Sequence, residues 1–155
     1  MAPLNDTIGT GFARHYELLG SRVGELAAPL SNEQFWEKPF SFGNSFGHLV
    51  LHLTGSLNYY IGTEIAATGY VRDRDREFSE AAHPPKDEVM KRFDEAVAMV
   101  ARTALAQSER DWSLAYTATR EETAGNRFNI FLRCATHLHH HVGQMTYLQC
   151  ALLRK

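Results

Sequence analysis

Apolar residues recur at steps of three and four along four long stretches of the chain, the spacing that places them on one face of an α-helix. The predicted helices span residues of about 6–30, 45–68, 87–106 and 126–153. No segment shows the strict alternation typical of a half-buried β-strand. Four amphipathic helices of this length predict an all-α fold, a four-helix bundle that forms one domain over residues 1–155.

Capping and breaking residues mark where these helices begin and end. Asn44 or Ser45 caps the second helix, and Gly69 is a residue type that ends helices in a left-handed conformation. The segment 70–85 contains a charge run and two consecutive prolines, and is therefore predicted as a loop. The segment 108–125 shows no clear period and is expected to fold back on the bundle.

The composition narrows the class of protein. The chain is 44% hydrophobic and 22% charged, as expected for one soluble domain, and its net charge of -2 gives no basic excess for nucleic acid. The sequence shows neither a signal peptide nor a membrane span, so a cytoplasmic location is predicted with no membrane contact. Cys134 and Cys150 lie too far apart along one predicted helix to pair, which agrees with a reducing compartment.

Histidines are concentrated in two places, both inside predicted helices. His48 and His52 are four residues apart in the second helix, and His137 and His141 have the same spacing in the fourth. Side chains four apart lie on one helix face, with Cβ atoms about 5–6 Å apart, so two imidazoles can share one ion. Three protein ligands with an open position describe a catalytic site. Imidazole donors are typical of zinc, nickel, copper or ferrous iron, of which zinc or nickel is expected here.

Both histidine stretches also carry a family resemblance. Segment 44–55, NSFGHLVLHLTG, resembles the helix-two signature of the DinB/YfiT-like superfamily, and segment 137–144, HLHHHVGQ, resembles its helix-four signature. Segments 35–39 and 72–78 resemble linking segments in a subgroup of small DinB-like proteins. The resemblance implies a four-helix bundle with one divalent ion, held by the histidine of His-Leu-x-Gly and by the histidine pair of the last helix. These positions are His52, His137 and His141.

The resemblance also implies a type of chemistry. Relatives include transferases in which the ion activates a low-molecular-weight thiol, and mycothiol-dependent maleylpyruvate isomerases. The expected function is therefore a metal-dependent enzyme that transfers a low-molecular-weight thiol to an electrophilic small-molecule substrate. A non-catalytic stress protein that binds metal or a small molecule, and a metal-dependent hydrolase, remain alternatives, since one fold hosts several functions. A homodimer is left open.

Four further side chains are candidates for the surroundings of the ion. His48 is interpreted as a fourth ligand, a hydrogen-bond partner of a ligand, or a residue at the rim. Cys134, one turn before His137, could bind a soft metal, but a small buried filler is the favoured interpretation. Gln144 could hydrogen-bond a ligand or bound water, or serve a helix contact. Tyr59 could line the pocket as a proton donor, although core packing is favoured.

Two groups of residues are expected outside the site. His139 is predicted to face solvent, and His140 to reach a neighbouring helix or a dimer partner. The charge run 72–77 is interpreted as a solvated or self-paired loop, with a grip on an anionic thiol cofactor as the alternative.

Overall fold

The computed structural model of the chain describes residue 1 and residues 3–154, so the predicted domain 1–155 includes two positions, 2 and 155, outside the described residues. Its elements are α1 Leu4–Ala27, α2 Asn32–Trp36, α3 Phe46–Leu57, a π-helical segment Asn58–Thr63, α4 Arg74–Ser79, α5 Lys86–Leu105, α6 Glu109–Trp112, β1 Ala115–Ala118, β2 Glu121–Asn126 and α7 Arg127–Leu153. The all-α fold class is thereby confirmed. None of the helices in the described part of the chain is both long enough and apolar enough to cross a bilayer.

The four long helices bury one shared apolar core. Helix α1 packs against α5 and α7, and α3 packs against the same two helices. Each contributes large side chains with almost no exposure: Tyr16 from α1, Leu53 from α3, Phe93 from α5, and Phe131 and Leu138 from α7. Each such side chain stabilises the fold by about 1.5–3 kcal/mol relative to exposure. The polar end of Tyr16 is satisfied because its hydroxyl donates to the Phe131 carbonyl at 2.6 Å.

Two helix starts that the sequence predicts are formed by side-chain caps. The Ser45 hydroxyl accepts a hydrogen bond from the backbone amide of His48 at 3.2 Å, so Ser45 rather than Asn44 begins α3. The Asn126 side chain accepts from the backbone amide of Asn129 at 2.9 Å and begins α7. These caps satisfy free backbone amides at the starts of the two helices that carry the histidine stretches.

The second helix ends earlier than predicted. Its α-helical part stops at Leu57 and continues as a π-helix to Thr63. The Ala66 amide donates to the Ile61 carbonyl, and Ala67 takes the left-handed conformation with φ of 52°, two residues before Gly69. The chain leaves the helix through this wide turn, which the apolar pattern alone does not reveal.

The segment 70–85, predicted as a loop, contains the short helix α4. The interpretation of 72–77 as a solvated loop is therefore wrong, whereas its pairing within the run is observed. The Asp73 side chain accepts from the Arg76 amide at 3.2 Å and caps this helix. Helix α4 packs on α3, which buries Glu77. The run is self-paired as expected, through Arg72 and Glu77, but it is folded against the bundle.

The segment 108–125 holds α6 and most of a β-hairpin that the sequence does not predict. Strands β1 and β2 pair antiparallel, with Ala115 opposite Asn126 and Tyr116 opposite Gly125. The strands contain few β-branched residues and are too short for a visible alternation, so the signal is weak. Tertiary contacts hold the hairpin, since Tyr116 is buried and its hydroxyl donates to the Tyr60 carbonyl at 2.9 Å.

We expect the metal-free protein to remain folded, because the apolar core is formed by all four long helices. After treatment with EDTA, the far-UV circular dichroism should stay helical and the melting temperature should fall only as far as ligand linkage requires. Phe93→Ala should instead lower the free energy of unfolding by about 3–5 kcal/mol with or without metal. Loss of helicity on chelation would show that an ion is a folding determinant.

Candidate metal centre

Three imidazoles from α3 and α7 converge on one point. His52 Nε2 lies 3.1 Å from His137 Nε2, and His141 Nε2 lies 3.0 Å from that same atom. Candidate ligand atoms of all three side chains lie within 4.8 Å of one another. Nitrogens bound to one tetrahedral zinc ion at about 2.0–2.1 Å would lie about 3.3 Å apart. The observed spacing is therefore compatible with a divalent metal site.

The outer hydrogen bonds of two rings fix which nitrogen carries the proton. His52 Nδ1 donates to Glu77 Oε2 at 2.9 Å, and His141 Nδ1 donates to Gln144 Oε1 at 2.7 Å. In the neutral rings, Nε2 of each then carries a lone pair aimed at His137 Nε2. One proton on His137 can satisfy only one of those two lone pairs. A cation between the three nitrogens satisfies them all, so the donor set fits a divalent metal.

The electrostatics of the site keep two of these rings neutral. Burial lowers the pKa of His137 to about 3, with the neighbouring His141 and His52 adding to the effect. Burial also lowers the pKa of His141 to about 4, although its hydrogen bond to Gln144 opposes the shift. Neutral imidazole is the form that binds metal, so both rings are ready to act as ligands at neutral pH.

Glu77 supports this arrangement from α4, and sequence reasoning missed it. Its carboxylate accepts from His52 and also from Arg72, with Arg72 Nε 2.7 Å from Oε1 and Nη2 2.9 Å from Oε2. Burial alone would raise the pKa of Glu77, but the hydrogen bonds from His52 and Arg72 outweigh it and lower the pKa. A carboxylate behind a ligating histidine fixes the ring and raises its basicity.

Gly55 makes room for this carboxylate. A Cβ atom at Gly55 would collide with Oε1 of Glu77. Helix α4 can approach α3 this closely only because the residue three positions after His52 has no side chain. This glycine was the one signal in the sequence that a side chain from elsewhere packs against α3 beside the histidine.

The structure places His48 outside the cluster. Its Nε2 donates to the Glu80 carbonyl at 3.1 Å, and its Nδ1 accepts from the Ser45 hydroxyl at 2.6 Å. Both ring nitrogens are therefore in use within the protein. Burial lowers the pKa of His48, which keeps the ring neutral in this setting. His48 joins the end of α4 to the start of α3 rather than facing the other histidines.

The remaining candidates occupy different positions around the cluster. Cys134 is buried beside His137, and burial raises the pKa of its thiol to about 12, so it is protonated. Gln144 accepts a hydrogen bond from His141, which agrees with the interpretation of Gln144 as a hydrogen-bond partner of a ligand. Tyr59 is half-buried, with its ring centroid 5.1 Å from that of Tyr60, and it lines an outer groove. His139 is exposed on the far side of α7, as predicted.

His140 is exposed next to the site. It accepts a hydrogen bond from Gln144 Nε2 at 3.3 Å, so His141, Gln144 and His140 are linked by consecutive hydrogen bonds. It also lines a groove of about 450 Å³ with the exposed rings of Phe42 and Tyr147.

A cavity of about 220 Å³ opens beside the cluster. It is lined by His52, Ser56, Tyr60, Arg72, Arg74, Arg120, Glu121, Arg133, Cys134 and His137. The β-hairpin that the sequence did not predict supplies Arg120 and Glu121. A small molecule in this cavity would lie against two of the three converging histidines.

Comparison with known proteins identifies one family. The model of a family described as the DinB superfamily matches residues 15–145, a span that includes all three converging histidines. No curated protein and no solved structure matches the chain.

Changing His52, His137 or His141 to Ala should lower the affinity for zinc by at least about tenfold, because each change removes one converging nitrogen. His139→Ala is the matched control, since it removes an exposed histidine from the same helix as two of these residues. Isothermal titration of the four variants measures the effect. Wild-type affinity in His137→Ala, or an equal loss in His139→Ala, would contradict this set of ligands.

Glu77→Gln should lower zinc affinity by about 10–100-fold, because the charged hydrogen-bond acceptor behind His52 is lost. This loss is expected although Glu77 is not one of the three proposed ligands. Glu88→Gln is the control, since it also breaks an Arg–Glu pair, but one on the surface of α5. The same titration, with circular dichroism to verify folding, compares the two variants. Equal affinities would mean that Glu77 serves only to pack α4.

Proposed function

The chain belongs to the DinB superfamily, and from this premise we propose that it is a metal-dependent enzyme that transfers a low-molecular-weight thiol to an electrophilic substrate. The observation that carries the proposal is the convergence of three Nε2 atoms next to a cavity that His52 and His137 also line. Three protein ligands beside a cavity are typical of catalytic sites, whereas structural sites are closed by a fourth protein ligand. Zinc or nickel is the metal we propose.

The side chains around the cluster have defined tasks in this proposal. A divalent cation, when bound, supplies Lewis acidity that lowers the pKa of a coordinated thiol. Glu77 and Gln144 hold His52 and His141 in the tautomer that presents Nε2 inward. Arg72 holds Glu77 in turn, so that the hydrogen-bond acceptor behind His52 does not move away from it. The cavity gives a small molecule access to one side of the cluster.

The hydrolase alternative has less support in the site. Metal-dependent hydrolysis is commonly assisted by a free general base near the attacking water. Among the described residues that line the cavity, Glu121 supplies the one carboxylate. Its oxygens already accept from Arg133 Nε at 2.6 Å and from the Thr123 hydroxyl at 3.0 Å. The cavity therefore offers no free carboxylate as a general base among the described residues, and this favours thiol transfer over hydrolysis.

The alternative of a non-catalytic binding protein would need a closed coordination sphere. The two extra candidates for a fourth ligand are poorly suited to that role. Both nitrogens of His48 are engaged by Ser45 and Glu80, and among the described residues the sulfur of Cys134 does not belong to the group of converging ligand atoms. These contacts support a site that is open toward the cavity.

Titration of the cobalt-loaded protein with 2-mercaptoethanol should produce a sulfur-to-metal charge-transfer band in the near ultraviolet. The thiol should ionise below its ordinary pKa when its sulfur coordinates the ion. His141→Ala should abolish the band and His139→Ala should retain it. If azide or acetate perturbs the cobalt spectrum but no thiol does, the site is open but does not serve thiol transfer.

A further inference from the structure

The cavity beside the histidine cluster carries an excess of positive charge. Four arginines line it, namely Arg72, Arg74, Arg120 and Arg133, against one carboxylate, that of Glu121. Two of the four are neutralised within the protein. Arg72 pairs with Glu77 at 2.7 Å, and Arg133 pairs with Glu121 at 2.6 Å. The other two guanidinium groups form no ion pair among the described residues.

These two arginines, Arg74 and Arg120, are positioned by different elements. The Arg74 guanidinium lies 5.5 Å from the ring centroid of Phe78, whose ring in turn packs 4.7 Å from that of His52. Arg120 lies at the turn of the hairpin with φ of 69°, and the next residue, Glu121, is anchored by Arg133. Helix α4 and the hairpin thus bring both positive charges to the cavity that His52 and His137 line.

Three of the four arginines also line a second space next to the cavity. Arg72, Arg74 and Arg120 line the inner cavity and also an outer groove of about 580 Å³. These three arginines are therefore shared by the cavity and the groove, and the groove is also lined by Asp73 and Asp75. The inner cavity, at about 220 Å³, is smaller than pockets for drug-sized ligands, which measure about 300–1,000 Å³.

We propose that the thiol cosubstrate is a small carboxylate-bearing thiol, whose carboxylate binds Arg74 and Arg120 while its sulfur faces the histidine cluster. This inference rests on the proposed function, because the thiol is the molecule expected next to the three nitrogens. The guanidinium group presents its N–H donors in a planar fork that matches a carboxylate. The carboxylate of such an anion offsets one of the two positive charges that remain unpaired in the cavity lining.

The test compares three thiols of similar size and different charge on the cobalt-loaded protein. The charge-transfer band gives a Kd for 3-mercaptopropionate, neutral 2-mercaptoethanol and cationic cysteamine. Charge-assisted hydrogen bonds from two arginines should make 3-mercaptopropionate bind at least about tenfold more tightly than 2-mercaptoethanol, with cysteamine weakest. The preference should weaken as the salt concentration rises.

Variants then locate the source of the preference. The double variant Arg74→Gln/Arg120→Gln should bind the three thiols with nearly equal Kd. The control Arg92→Gln, which removes one positive charge from the exposed surface of α5, should keep the wild-type preference. Cobalt loading of each protein is measured first and should be unchanged.

Three other results would overturn the inference. If the double variant keeps the preference, the carboxylate binds the ion itself rather than the arginines. If cobalt loads and all three thiols bind alike in the wild type, the carboxylate site is absent while the proposed function stands. If cobalt does not load at all, the proposed function fails, and the carboxylate site that rests on it fails as well.

Discussion

The hydrogen-bonded group of Glu77, His52 and Arg72 is the interaction on which the rest of the site depends. It joins α4 to α3, sets the proton of His52 on Nδ1, and turns the other ring nitrogen toward His137 and His141. A buried carboxylate is stable only if it is paired and its oxygens are hydrogen-bonded, and here both partners are present. Gly55 is the steric condition for this group, since any larger residue would displace Glu77.

Stability and chemistry are divided between two parts of the molecule. The apolar core between α1, α3, α5 and α7 supplies the free energy of folding, while the polar cluster lies between α3 and α7. This division permits an arrangement that is unfavourable without a cation, namely two Nε2 lone pairs aimed at a third ring nitrogen. The packing of the helices holds the three nitrogens close together although their lone pairs repel one another.

Much of the fold and half of the site could be predicted from sequence. The four helices follow from the spacing of apolar residues, and the shared helix face of His137 and His141 follows from their four-residue separation. The grouping of His52 with that pair follows from the family resemblance. Glu77 could not be predicted, because its role depends on α4 folding back on α3, and a run of alternating charges is usually solvated. The hairpin that carries Arg120 was missed because tertiary contacts rather than strand propensity hold it.

The central claim is that His52, His137 and His141 hold one divalent metal with a position open toward the cavity. X-ray absorption spectroscopy of the zinc-loaded protein tests it most directly. We expect three imidazole nitrogens at about 2.0–2.1 Å with a light exchangeable ligand, and a sulfur at about 2.3 Å only after thiol is added. A sulfur ligand before thiol is added, or a fourth imidazole, would contradict the claim.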